Sequence, residues 1–146
     1  MSADPLLIDA SNHIMGRVAS VAAKQALHGR KVVVVNAEKA IIAGQKHKTI
    51  RAAMHRLRTG THGAQERAPM HPRRADTYFR RVIRGMLPWK KPRGKAAFRN
   101  VKVFIGMPEE YSSKQSERLP EADASKLRCR YITVGELCNA IGGDRR

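Results

Sequence analysis

Val32-Val33-Val34-Val35 is four β-branched residues in a row with nothing polar between them. A strand turns alternate side chains to opposite faces. An unbroken apolar run therefore fits a strand buried on both sides, as at the centre of a parallel sheet. Upstream, Leu6-Leu7-Ile8 is a shorter apolar run ended by Asp9-Ala10-Ser11-Asn12, which reads as a strand followed by a helix cap. Between the two runs Ile14, Val18, Ala22 and Ala26 recur every fourth residue, and Met15, Ala19, Val21 and Leu27 widen the stripe. This spacing predicts an amphipathic helix closed by Gly29. Strand, helix and strand within about 35 residues make a βαβ unit with a right-handed crossover.

Downstream, Ile50, Ala53, Met54 and Leu57 predict a helix over 45–58, with Lys46, Lys48, Arg51, Arg56 and Arg58 on the rest of its surface. Residues 59–75 hold Gly60, Gly63, Pro69 and Pro72 and read as a long loop. A helix from Thr77 to Leu87 is expected behind Asp76 as cap, burying Tyr78, Phe79, Val82, Ile83, Met86 and Leu87. Pro88 ends it. Trp89 to Lys95 reads as a basic segment kept extended by its prolines and glycine, and Ala96 to Asn100 as a short helical turn. Val101, Val103 and Ile105 alternate with Lys102 and Phe104, a strand pattern. Residues 107–130 are polar and read as an irregular extension. In the C-terminal helix region, 131–143, Thr133 and Glu136 fit a capping box and Gly142-Gly143 a stop. The whole reads as one α/β domain over 1–146. It has three layers: a small, mainly parallel sheet flanked by helices, plus basic loops.

Charge separates the function classes. The chain has 146 residues, with 29 Lys and Arg against 12 Asp and Glu, a net charge of +17. The excess is not spread evenly. Residues 39–108 hold eighteen basic residues and two acids, Glu66 and Asp76, whereas the flanking segments are nearly balanced. Such a block repels itself unless a polyanion relieves it, which makes nucleic acid the first candidate partner and an anionic membrane surface the second. No run of 18 apolar residues is present, and the N-terminus lacks a basic leader pattern, so neither a membrane span nor a signal peptide is expected. Cys129 and Cys138 have no metal-ligand spacing, and a reducing, cytoplasmic location is the simplest reading.

Arg80, Arg81, Arg84, Lys90, Lys91, Arg93 and Lys95 are the leading candidate nucleic-acid contacts, because no acid occurs between Thr77 and Pro108 to answer them. Arginine presents a planar fork of donors to phosphate, and lysine a compact charge. Trp89 is a candidate either for stacking on an unpaired base or for packing beside the helix end. Pro88 and Pro92 would restrain the segment, and Gly85 and Gly94 would let backbone approach a nucleic acid closely. The second basic face comprises Lys46, Lys48, Arg51 and Arg58. The histidines, His13, His28, His47, His55, His62 and His71, show no ligand spacing, and no metal or cofactor is expected. Gly44-Gln45-Lys46 lacks the rest of a phosphate loop. Asp9 ends a strand, where a catalytic acid can sit, but no partner carboxylate or nucleophile accompanies it, so no catalytic residue is assigned.

Gly16-Arg17-Val18-Ala19-Ser20, then Val32 to Glu38, then Arg84-Gly85-Met86-Leu87-Pro88, in this order, resemble the L-thirteen family of large-subunit ribosomal proteins. The likeness runs from about Ile8 to Gly106. The short first-helix connection and the ending Tyr131 to Leu137 look like the archaeal and eukaryotic branch. The resemblance implies a three-layer α/β fold without catalysis and without a small-molecule substrate. It also implies large-subunit ribosomal RNA and neighbouring ribosomal proteins as partners. It adds Arg17 to the candidate RNA contacts. A nucleotide-dependent enzyme acting on nucleic acid would need the missing phosphate loop. A non-ribosomal packaging protein would not need this ordered set of motifs.

Overall fold

The computed structural model describes residues 5–60, 63, 66 and 68–143. Its centre is the Val run. Strand β2 (Val32–Val35) lies between β1 (Leu6–Asp9) and β4 (Val101–Val103), parallel to both, with Leu6 opposite Val32 and Val32 opposite Val101. Alternation sends Leu6, Ile8, Val32, Val34 and Val101 to one face. There they pack with Val18, Ala19 and Ala22 of α1 (Met15–Leu27) and with Phe79 and Ile83 of α3 (Ala75–Met86). Leu7, Val33 and Val35 point the other way, onto Phe104 and onto Tyr111 of the short α5 (Glu109–Ser112). All four Val side chains of β2 are buried, as a central strand requires. The expected α/β fold with its mainly parallel sheet is the one observed.

The turn out of β1 differs from the expected helix cap. No side chain caps α1; Ile14 precedes it in an extended conformation. Asp9 instead accepts hydrogen bonds from the Ser11 amide at 3.0 Å, the Ser11 hydroxyl at 2.8 Å and the Asn36 side-chain amide at 2.9 Å. One carboxylate thus stitches the end of β1 to the end of β2. Asn36 sits in the left-handed region (φ 54°), which asparagine tolerates better than most residues, and turns the chain out of β2. Gly29, also at positive φ, closes α1 as expected.

Two further strands form an antiparallel pair that local periodicity did not suggest. These are β3 (Ile41–Ala43) and β5 (Tyr131–Thr133), with Ile42 opposite Ile132. Helix α2 (Lys46–Arg58) follows β3 and α6 (Val134–Ala140) follows β5, so the pair sets these two helices side by side. Ile132, Leu137 and Ile141 form a third apolar cluster, against which Ile50, Ala53, Met54 and Leu57 of α2 pack half-buried. Thr133 Oγ1 accepts from the Glu136 amide at 3.2 Å, one half of the expected capping box. The Glu136 carboxylate reaches Lys46 (3.3 Å) instead of completing it.

Between α5 and β5 the chain lies along the outer edge of β1. The Glu117 amide donates to Leu7 O at 2.8 Å and the Asp9 amide to Glu117 O at 3.2 Å, covering an otherwise open sheet edge. Buried His13 fastens the next residues. Its Nε2 accepts from the Leu119 amide at 3.2 Å, which leaves the ring proton on Nδ1, 2.6 Å from Ser11 O. Of the loop expected over 59–75, residues 61, 62, 64, 65 and 67 lie outside the described residues, and Ala75 already belongs to α3.

Candidate nucleic-acid interface

Helix α3 is anchored by Ala75, Phe79 and Ile83, all buried, and by Leu87 just beyond its end. Its start differs from expectation: Arg74 precedes it and Asp76 lies within the first turn, where a carboxylate complements the helix dipole and meets Arg74 at 3.3 Å. Of the expected apolar stripe, Tyr78 and Val82 are half-buried and Met86 is exposed. Anchoring on one side holds Arg80, Arg81 and Arg84 on the other, with Arg80 and Arg81 exposed and Arg84 partly covered.

The segment after Pro88 is not extended. Helix α4 (Pro92–Arg99) begins at Pro92, with no carboxylate in its first turn. Proline suits the first helical position because its fixed φ is helical and its missing N–H would have no partner there. The elbow between α3 and α4 closes through the Trp89 amide on Leu87 O (2.7 Å) and the Lys91 amide on Pro88 O (2.9 Å). Gly94 makes the closure possible: a Cβ at this position would lie 2.1 Å from Pro88 O. Its close approach is to the protein's own backbone and it is buried, which corrects the expectation that it faces a nucleic acid.

Four side chains lock across the elbow. The Arg80 guanidinium lies 4.5 Å from the centre of the Phe98 ring. Phe98 meets Trp89 edge-on, with centroids 5.2 Å apart, and Arg84 lies 4.8 Å from the centre of the Trp89 ring. Trp89 therefore packs, yet remains 38% exposed. Stacking orients both arginines in advance, so less freedom would be lost were their donors to meet an anion. Lys90, Lys91, Arg93 and Lys95 are exposed around the start of α4, where the helix dipole adds to their positive field. Among the described residues no carboxylate lies within ion-pair distance of these seven cations.

The second basic face is on α2, where Lys46, Lys48, Arg51 and Arg58 are all exposed. Lys46 is partly answered by Glu136. Arg17, on α1, donates to the Glu121 carbonyl at 2.7 Å and ties that helix to the 120–122 turn. Arg56 of α2 and Arg81 of α3 line one cleft with His71, so the two basic faces meet there. Phe98 was not singled out from the sequence, and Arg56 was named only on the surface of its helix and not as a contact. Arg56 passed as one cation in a helix full of them, and Phe98 acts through Trp89, nine positions away.

The shifts of the Asp9 carboxyl and the Cys138 thiol have structural reasons. Burial pushes the Asp9 carboxyl up, but its hydrogen bonds from Asn36 and Ser11, with the charge of Arg118, bring it below the usual carboxylate range. It is held as an anion and is no proton donor at neutral pH. Burial, with the Asp76 charge, pushes the Cys138 thiol up to about 11, as suits a core residue. Among the described residues no group of three or more His, Cys, Asp or Glu side chains could hold a metal ion, and no helix is long and apolar enough to cross a membrane.

Residues 3–110 match the family described as ribosomal protein L13. The chain belongs to the ribosomal protein L13 family. Members of this family are structural ribosomal proteins rather than enzymes. Among curated relatives, large ribosomal subunit protein uL13 of Methanopyrus kandleri is 43% identical over 93% of this chain and 86% of its own length. The uL13 proteins of Archaeoglobus fulgidus, 40% identical over 95% and 88%, and of Sulfurisphaera tokodaii, 41% identical over 98% of each chain, are similar to it along nearly the whole length. The motifs that carried the resemblance to the L13 family have structural reasons in this chain. Asn36 turns β2 and holds Asp9, and Glu38 Oε2 accepts from the Gly106 amide at 3.0 Å. Arg84 to Pro88 runs into the elbow that sets α4.

Proposed function

We propose that this chain is a structural component of the large ribosomal subunit that binds large-subunit ribosomal RNA and supports subunit assembly. The observation that carries the reading is the α3–α4 elbow. There Arg80, Arg81, Arg84, Lys90, Lys91, Arg93 and Lys95 lie with no ion-paired carboxylate among the described residues, and two of the arginines are stacked on Phe98 and Trp89. The family match supports the ribosomal setting, as do the relatives, which are large ribosomal subunit proteins. The mechanism is electrostatic. A rigid α/β body presents fixed cations, neutralises phosphates and lets RNA segments approach one another. The exposed face of α2, with Lys46, Lys48, Arg51 and Arg58, extends the footprint, and Arg17 contributes from α1. Neighbouring large-subunit proteins are the other partners, and the cytoplasmic ribosome is the location. Expressed with a tag in cells of its source, the chain should sediment with large-subunit particles and remain with them through washing. Recovery only in the free-protein fractions would refute the reading.

A further inference from the structure

Helices α2 and α3 do not close against each other. Ala53, Arg56 and Leu57 of α2 and Tyr78, Arg81 and Val82 of α3 line a cleft of about 250 Å³, and Ala53 is the smallest side chain on its wall. Its walls are Ala53, Leu57, Val82 and Ile141, with the half-buried Tyr78 ring. Arg56, Arg81 and His71 also line it, and among the described residues no carboxylate does. The volume lies below the roughly 300–1,000 Å³ of common small-ligand pockets and suits a single ring system rather than an amphipathic helix. Apolar and aromatic walls accept the faces of a flat heterocycle. Arginines beside them accept a phosphate bonded to the same unit.

We propose that this cleft receives one unstacked nucleotide of the bound RNA, its base between α2 and α3 and its phosphate on Arg56 and Arg81. The inference rests on the RNA-binding reading above and adds a preference that a purely electrostatic footprint lacks. Duplex RNA keeps its bases stacked and cannot fill the cleft, whereas loops, bulges and ends can. Arg81 belongs to the α3 row, so the nucleotide would sit where the α2 and α3 faces join.

The test uses the full chain with labelled Leu, Val and Ile methyl groups. The probes are a short single-stranded RNA oligonucleotide and a blunt RNA duplex of equal charge. The single strand should shift the methyl resonances of Leu57, Val82 and Ile141, and the duplex should not. Ala53→Phe, which fills the cleft and leaves every charge in place, should weaken single-strand binding about tenfold or more and duplex binding less than about twofold. Val82→Phe is a second filling variant if the first fails to fold. Arg56→Gln with Arg81→Gln should weaken both RNAs. Silent methyls, or equal losses for the two RNAs on filling, would overturn the inference. If ribosomal RNA still bound with strong salt dependence in that case, the interface reading would stand, and a side chain of a neighbouring protein would become the better occupant. Failure of the parent chain to bind any of these RNAs at low salt would overturn both.

Discussion

Two glycines near the elbow should respond to alanine with opposite signs. Gly94 lies in the first turn of α4, and its added Cβ would sit 2.1 Å from Pro88 O and 2.5 Å from Pro88 C. Optimal separations between carbon atoms are about 3.5–4.0 Å, so a backbone must move by more than about 1 Å. Overpacking of this kind costs about 1–3 kcal/mol, and the better helix propensity of alanine returns at most about 1 kcal/mol. An overlap this deep with backbone belongs at the upper end of that range, so Gly94→Ala should lose roughly 2 kcal/mol. Gly85 lies one residue before the end of α3, is exposed, and has nothing within 4 Å of its added Cβ. There only the propensity applies, and Gly85→Ala should gain about 0.5–1 kcal/mol. For a domain of about this size each kcal/mol moves the midpoint by roughly 2–4 °C. Thermal unfolding followed by circular dichroism at neutral pH reads both shifts. A Gly94→Ala chain as stable as the parent would refute the close α3–α4 contact, and with it the fixed placement of Lys90 to Lys95.

Asp9→Ala should cost about 1–3 kcal/mol at pH 7, because three donors lose a charged acceptor. The folded carboxyl titrates below its ordinary value of 3.8, so its contribution is present above that value and disappears as pH falls through the lower, folded one. The gap to the parent should close on strong acidification, and a gap unchanged with pH would contradict the assignment. His13→Ala should speed hydrogen exchange at the Leu119 amide far more than at the amides of β2; uniform acceleration would show that the edge segment is not held locally. Of the two thiols, only exposed Cys129 should react with a thiol reagent in the native state. Cys138, buried and pushed up to about 11, should react only on unfolding.

The parallel core was legible because each of its elements advertises itself within a few residues. The Val run, the four-residue period of α1 and the alternation at Val101–Val103 are local patterns. The β3–β5 pair was not legible, since Ile41–Ala43 is three residues long and its partner lies some ninety residues away. Pro92 was read as keeping its segment extended, although the same fixed φ also starts helices, and the buried contact of Gly94 with Pro88 goes with the second. The cations of the interface were visible as an acid-free block. Their stacking on Phe98 and Trp89 was not, because it depends on the elbow bringing α4 back across the end of α3.

The central claim is that cations fixed at the α3–α4 elbow bind RNA phosphate, beyond what net charge alone would do. Changing Lys90, Lys91, Arg93 and Lys95 together to Gln removes four of them; changing Lys114, Arg118, Lys126 and Arg128 to Gln removes the same charge from exposed positions in the near-neutral 109–146 segment. Filter binding to large-subunit ribosomal RNA fragments across a salt series measures both, with circular dichroism confirming the fold. For the parent, contacts to roughly six to ten phosphates would lower affinity on the order of 10³–10⁵-fold between about 50 and 200 mM salt. The elbow variant should bind more weakly at every salt concentration and show a slope of log affinity against log salt shallower by about 2–4. The second variant should keep nearly the parent slope. Equal losses of affinity and slope in the two variants would contradict the account.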